Sequence, residues 1–239
     1  MLRLERVCVF YGAHQVLWDL DLEVAASSTV CILGPNGAGK STVLKAIAGL
    51  VPVRGRILLE GRDIAALPAA RRVALGISLV LERRRLFTDM SVAENLALGA
   101  YRAPAAQRAA RRDQGLAMLP AVRDLLRRRA GDLSGGQQQM VAMARGLMAE
   151  PRLLMLDEPF LGLSPVAVDE VRGIIAELAA AGLTILFNEQ NVRLSLAMSR
   201  QAVLLEAGRL VVAGPAEEIG AGEIVQRVYF GTANAAEAP

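Results

Sequence analysis

The chain has 239 residues, 53% of them apolar, and a net charge of +3, with Lys40 and Lys45 the only lysines among its 27 basic residues. That is enough apolar material to bury the core of one large α/β domain or two small ones, but the longest apolar runs fall well short of the ~18 residues that cross a bilayer, and the charged, alternating N-terminus does not read as a secretory signal. The arginine clusters at residues 83–85, 111–112 and 127–129 lack aromatic neighbours that could stack on bases, which argues against nucleic acid as a partner.

In chain order, residues 2–9 read as a strand. Trp18, Leu20, Leu22 and Val24 alternate with Asp19, Asp21 and Glu23, the period-two pattern of a half-buried strand. Residues 29–33 form a continuous apolar run, as expected of a strand covered on both faces. A glycine-rich loop follows, then a helix over 40–48, a short strand at 57–59 before the turn at Glu60-Gly61, and a buried strand at 77–81. From Ser91 to Ala149 the pattern turns helical, with breaks near Pro104 and Pro120. Buried strands return at 153–156 and 184–187, separated by a helix over 166–180 that ends at Gly182. Residues 202–206 and 210–213 flank an Ala207-Gly208 turn and predict a hairpin. Cys8 and Cys31 lie in strand patterns and read as buried thiols. The alternation of strands and helices predicts a parallel core sheet, and the helical middle predicts a subdomain inserted into it. The Ala-rich residues 233–239 read as a frayed tail.

Three motifs carry chemistry. Gly34-Pro35-Asn36-Gly37-Ala38-Gly39-Lys40-Ser41 fits G-x4-G-K-[ST] between a buried strand and a helix. Its glycines let backbone N–H groups turn towards a phosphate, and the following helix N-terminus favours negative charge. Lys40 is placed to neutralise the β- and γ-phosphates of ATP, Ser41 to hold Mg²⁺ and Thr42 to add a phosphate contact. The apolar run 153–156 ends in Asp157-Glu158. Buried carboxylates are expensive unless paired. Asp157 fits a Mg²⁺-linked role and Glu158 the polarisation of an attacking water. In Leu133-Ser134-Gly135-Gly136-Gln137, Ser134 can cap a helix running to about Met148, and the two glycines allow close approach to an anion.

This last motif, following the phosphate loop and preceding the acidic strand, resembles the signature of ABC (ATP-binding cassette) ATPases over about residues 1–230. The resemblance implies a P-loop NTPase (RecA-like) α/β fold with an N-terminal antiparallel β part. One ATPase domain would span 1–232, its core about 1–88 and 151–230, with an inserted α-helical subdomain at about 89–150. It also implies that Ser134, Gly135, Gly136 and Gln137 bind the γ-phosphate of ATP held by a second subunit, and that Tyr11 stacks on adenine.

Two positions depart from the general pattern. Glu82 stands where the family usually has a Mg²⁺-contacting Gln, and Gln190 where it has a γ-phosphate-contacting His. The only histidine is His14, so no switch histidine exists, and Gln190 implies hydrolysis without a histidine-type pH dependence. Glu82 with its basic followers and Leu86-Phe87, the run Ser91-Val92-Ala93-Glu94-Asn95-Leu96, and residues 188–193 resemble the shorter ATPase of branched-chain amino acid importers. Urea and amide importers are closely similar. Arg83 and Leu81 replace a usual Gly and Pro, Gln137 or Gln138 a usual Glu, and Ser164 a usual Asp.

The expected activity is ATP hydrolysis energising amino acid import from the cytoplasmic face of the membrane. Expected partners are transmembrane permease subunits, a second ATPase (a copy or a sister) and, indirectly, a substrate-binding protein. The ATPase of an exporter is the alternative, although such relatives are expected to keep Gln at 82 and His at 190.

Overall fold

A computed structural model describes residues 1–230, so the tail reading of 233–239 lies outside the described residues. The chain runs β1 (Leu2–Tyr11), β2 (His14–Val24), β3 (Thr29–Leu33), α1 (Lys40–Ala48), β4 (Val53–Leu59), β5 (Arg62–Asp63), α2 (Ala69–Ala74), β6 (Ile77–Val80), α3 (Val92–Gly99) and α4 (Ala105–Met118). It continues, after two short 3-10 stretches, with α5 (Gly135–Leu147), β7 (Leu153–Asp157), α6 (Pro165–Ala180), β8 (Thr184–Asn188), α7 (Val192–Met198), β9 (Gln201–Glu206), β10 (Arg209–Pro215), α8 (Ala216–Ala221) and α9 (Glu223–Phe230). No helix among the described residues is long and apolar enough to cross a membrane.

The described residues form two compact units, residues 1–66 with 188–230, and residues 67–187. The first unit holds an antiparallel sheet ordered β2-β1-β4-β5. Its alternation is as expected: Leu2, Leu4, Val7 and Val9 are buried, while Arg3 and Arg6 face out. The register shifts between Leu4 and Val7, where Arg6 takes φ +47, a bulge that turns one residue out of the ladder. Gly55 faces that bulge, and a Cβ there would strike the Arg6 carbonyl. The same unit pairs β3 with β9 in parallel, Val30 opposite Gln201 through Leu33 opposite Leu204, and closes the β9–β10 hairpin. All five residues of β3 are buried. Helix α1 ends at Gly49 in the left-handed region (φ +75), where Leu50 N–H returns to Lys45 O at 2.9 Å.

In the second unit β6 and β7 pair in parallel, Ile77 opposite Leu153 through Val80 opposite Leu156, with β8 on the other side of β7. The helical middle is less continuous than its composition suggests. Pro104 precedes α4, and Pro120 opens a 3-10 stretch rather than a helix. Helix α5 is the hub, packing against α3, α4, α6 and β6. Elements β5, α2, α7 and α8 lack a strong periodic signal because each is a short, two- to seven-residue piece.

Candidate functional site

In the first unit β3 delivers the chain into the phosphate loop. Gly37 and Gly39 hold φ of +83 and +101, a region costly for residues with a Cβ. A Cβ on Gly39 would also lie 2.8 Å from Leu17 Cδ2, which would have to shift, so space and backbone conformation both favour glycine here. Lys40 is 5% exposed, and its Nζ donates to Gly34 O at 2.7 Å and Pro35 O at 3.1 Å. A buried ammonium needs such acceptors, and carbonyls of the loop itself are acceptors that phosphate oxygens can replace. Thr42 is buried on the first turn of α1, whose N-terminal N–H groups and dipole favour an anion.

Ser41 Oγ accepts from Asn188 Nδ2 at 3.3 Å. Asn188 ends β8 fully buried, which orients the hydroxyl. Next to it the buried Glu189 turns Oε2 onto the backbone N–H groups of Gln190 (2.8 Å) and Asn191 (3.3 Å), fixing the bend that presents the exposed Gln190. Asn191 then caps α7 through Leu194 N–H at 3.1 Å. Tyr11 stands at the end of β1, 45% exposed, a bare ring face of the kind that stacks on a base.

In the second unit β7 ends in Asp157, 3% exposed. Glu158 follows with φ +48, a conformation that costs a non-glycine residue about 1–2 kcal/mol and gathers at functional sites. Its carbonyl accepts from Leu161 N–H at 3.2 Å, closing the turn. Glu82 is half-buried, with Oε1 at 3.3 Å from Arg83 Nε. Arg83, Arg84 and Arg85 all take positive φ (+59, +63 and +46). That run is held from two sides: Arg145 Nη2 donates to Arg84 O at 3.1 Å, and Arg84 Nη2 to Leu161 O at 3.4 Å.

The signature builds a capping box. Ser134 Oγ accepts from Gln137 N–H at 3.3 Å, and Gln137 Oε1 from Ser134 N–H at 3.1 Å. The two glycines divide their work. Gly136 is a packing residue, since a Cβ there would come within 2.7 Å of Ala167 Cβ on α6. Gly135 lies against the Arg84 guanidinium, whose Nη2 is 3.2 Å from where a Cβ would sit, with Leu163 Cδ2 at 3.6 Å. Ser164 is itself a cap: its Oγ accepts from Ala167 N–H at 3.4 Å ahead of Pro165 at the first helical position of α6.

Tyr11, the phosphate loop and Gln190 thus belong to one unit, and Glu82, the signature, Asp157 and Glu158 to the other. Among the described residues no three His, Cys, Asp or Glu side chains gather into an all-protein metal cage. Each unit by itself offers hard oxygens of the kind Mg²⁺ takes when it arrives with substrate phosphates: the Ser41 hydroxyl in the first, the Asp157 and Glu82 carboxylates in the second. Sequence reasoning met Asn188, Glu189 and Asn95 only within the runs that carry the family resemblance and gave none of them a role. The first had a visible signal, a polar residue ending an apolar strand as Asp157 does. Asn95 is fully buried inside the Ser91–Leu96 run, where it accepts from Phe87 N–H and donates to Phe87 O and Ser91 O, each at 3.0 Å, and so fastens the loop after Arg85.

A family model described as "ABC transporter" matches residues 17–161. The chain is 36% identical over 232 residues to the high-affinity branched-chain amino acid transport ATP-binding protein BraG of Pseudomonas aeruginosa, covering 97% of this chain and all of that one. It is 37% identical over 226 residues to the lipopolysaccharide export system ATP-binding protein LptB of Acidithiobacillus ferridurans, covering 92% of each. Among solved structures, the ADP conformation of MJ1267, an ATP-binding cassette of an ABC transporter, superposes with a TM-score of 0.87 at 26% identity, covering 97% of this chain and 98% of that one.

Proposed function

The chain belongs to the ABC transporter family as one of its ATP-hydrolysing subunits, and from that premise we propose that it energises import of branched-chain, hydrophobic amino acids. One observation carries the choice of cargo: Glu82 and Gln190 stand together where exporter-type relatives are expected to keep Gln and His. The full-length likeness to BraG supports it. The equal likeness to LptB keeps an export ATPase as the second reading, with urea or amide import a variant of the first.

In this proposal Tyr11 stacks on adenine, and residues 34–42 wrap the phosphates. Lys40 exchanges its loop carbonyls for phosphate oxygens, a trade of acceptors that leaves its charge compensated throughout. Ser41, held by Asn188, would hold Mg²⁺ with Asp157 and Glu82. Bound Mg²⁺ supplies charge neutralisation on the phosphate oxygens. Glu158 accepts a hydrogen bond from the attacking water and aligns it. Gln190 donates its amide N–H to a γ-phosphate oxygen and carries no charge at any working pH. Residues 134–137 offer a helix N-terminus to the ATP of a second subunit, a copy or a sister ATPase. Closing that dimer at the cytoplasmic face would move permease subunits fed by a substrate-binding protein.

The cargo is tested by deleting the gene and measuring uptake of radiolabelled leucine by intact cells. Loss of uptake, restored by the wild-type chain and not by Lys40→Ala, is expected. Full uptake with lipopolysaccharide accumulating in the inner membrane would replace the import reading with export.

A further inference from the structure

The end of the described chain reaches back to the phosphate loop. Tyr229, on α9, places its hydroxyl oxygen 2.6 Å from the Gly34 nitrogen, so the Gly34 N–H donates to it. The Gly34 carbonyl accepts from Lys40 Nζ at 2.7 Å. The residue that opens the loop is therefore held at its amide by Tyr229 and at its carbonyl by the lysine that the loop presents. Gly34 is buried with φ +150, and a Cβ there would run into Leu205 O, so the position is held to glycine. A buried amide left without an acceptor is costly, which makes the phenol oxygen the fixed point of the loop entrance. Burial pushes the Tyr229 phenol above its ordinary 10.0, so that oxygen stays a neutral hydroxyl across the working range. The two residues are 195 positions apart in the chain, and their pairing carries no sequence signal.

On the ATPase reading above, we propose that Tyr229 is a positioning residue for ATP: its hydroxyl pins Gly34 so that Lys40 can leave the Gly34 and Pro35 carbonyls for phosphate oxygens while the loop entrance stays in place. The C-terminal helix is then part of the nucleotide site. Tyr229 hydrogen-bonds the backbone that opens the loop and touches no reacting atom. Its loss weakens ground state and transition state alike, so KM for ATP rises while kcat holds.

The test compares full-length wild type, Tyr229→Phe and Lys40→Ala for MgATP affinity and steady-state hydrolysis. Phe keeps the ring and removes only the oxygen. Tyr229→Phe is expected to weaken MgATP binding and raise KM about fivefold to tenfold, the loss of one hydrogen bond, with kcat unchanged. Unchanged affinity, or a fall in kcat with KM unchanged, overturns the proposal and leaves the ATPase reading standing. A wild type that binds MgATP no better than Lys40→Ala overturns both. Should Tyr229→Phe not fold, hydrogen exchange on the wild type decides: the Gly34 amide is expected to be strongly protected, and exchange at the open-chain rate overturns the proposal.

Discussion

Glu158 occupies a backbone region that side chains rarely adopt, directly after a strand whose five residues are all buried. The strain is affordable because the strand before it is fixed on both faces and the Leu161 N–H closes the turn behind it. Gln190 is handled in the same way, its backbone fixed by the buried Glu189 carboxylate while its amide stays exposed. Cys31 is a purely structural counterpart. Burial among apolar strands pushes its thiol from 9.0 up to about 11. The folded state therefore holds that proton where the unfolded chain releases it. The stability so contributed is fully present below pH 9 and is lost as pH rises to about 11, a total on the order of 2–3 kcal/mol. Urea denaturation at pH 8, 9, 10 and 11 should show a decline that Cys31→Ala removes; an equal decline in that variant assigns it to other groups. Cys8 is only half-buried, with Asp19 N–H donating to its Sγ at 3.3 Å, so the expectation of two buried thiols holds for Cys31 alone.

At the scale of elements, α5 shows how one helix serves both fold and site. Its capping box satisfies two backbone N–H groups, and Gly136 in its first turn lets it lie close to α6. Ser134→Ala removes the side-chain cap and should cost about 1 kcal/mol, read as a lowered urea midpoint with unchanged slope. An unchanged midpoint would show that the cap contributes nothing to stability. The strands at 29–33, 153–157 and 184–188 were legible in the sequence because continuous burial forces continuous apolar runs. The phosphate loop and signature were legible because their glycines and caps are local chemistry. The rest was not, for two physical reasons. Short helices such as α7 and α8 bury too few residues to show a period, and long-range anchors such as Tyr229 on Gly34 or Asn188 on Ser41 depend on how elements far apart in the chain come to lie near one another. Ser164 read as a missing acid in sequence; in the structure it is the cap of α6.

At the scale of the molecule, membership in the ABC transporter family makes hydrolysis the work this chain does and leaves the cargo to its partners. Among the described residues no helix is long and apolar enough to cross a membrane. Coupling to transport is proposed, on the ground of family membership, to pass through permease subunits. Everything proposed about import, dimer closure and the γ-phosphate contacts depends on ATP being split with Glu158 aligning the water. The most direct test is ATP turnover by Glu158→Gln beside wild type, under conditions where both bind MgATP. Turnover about 10²–10⁴-fold lower is predicted, the usual effect of losing a positioned general base; turnover equal to wild type would contradict the account.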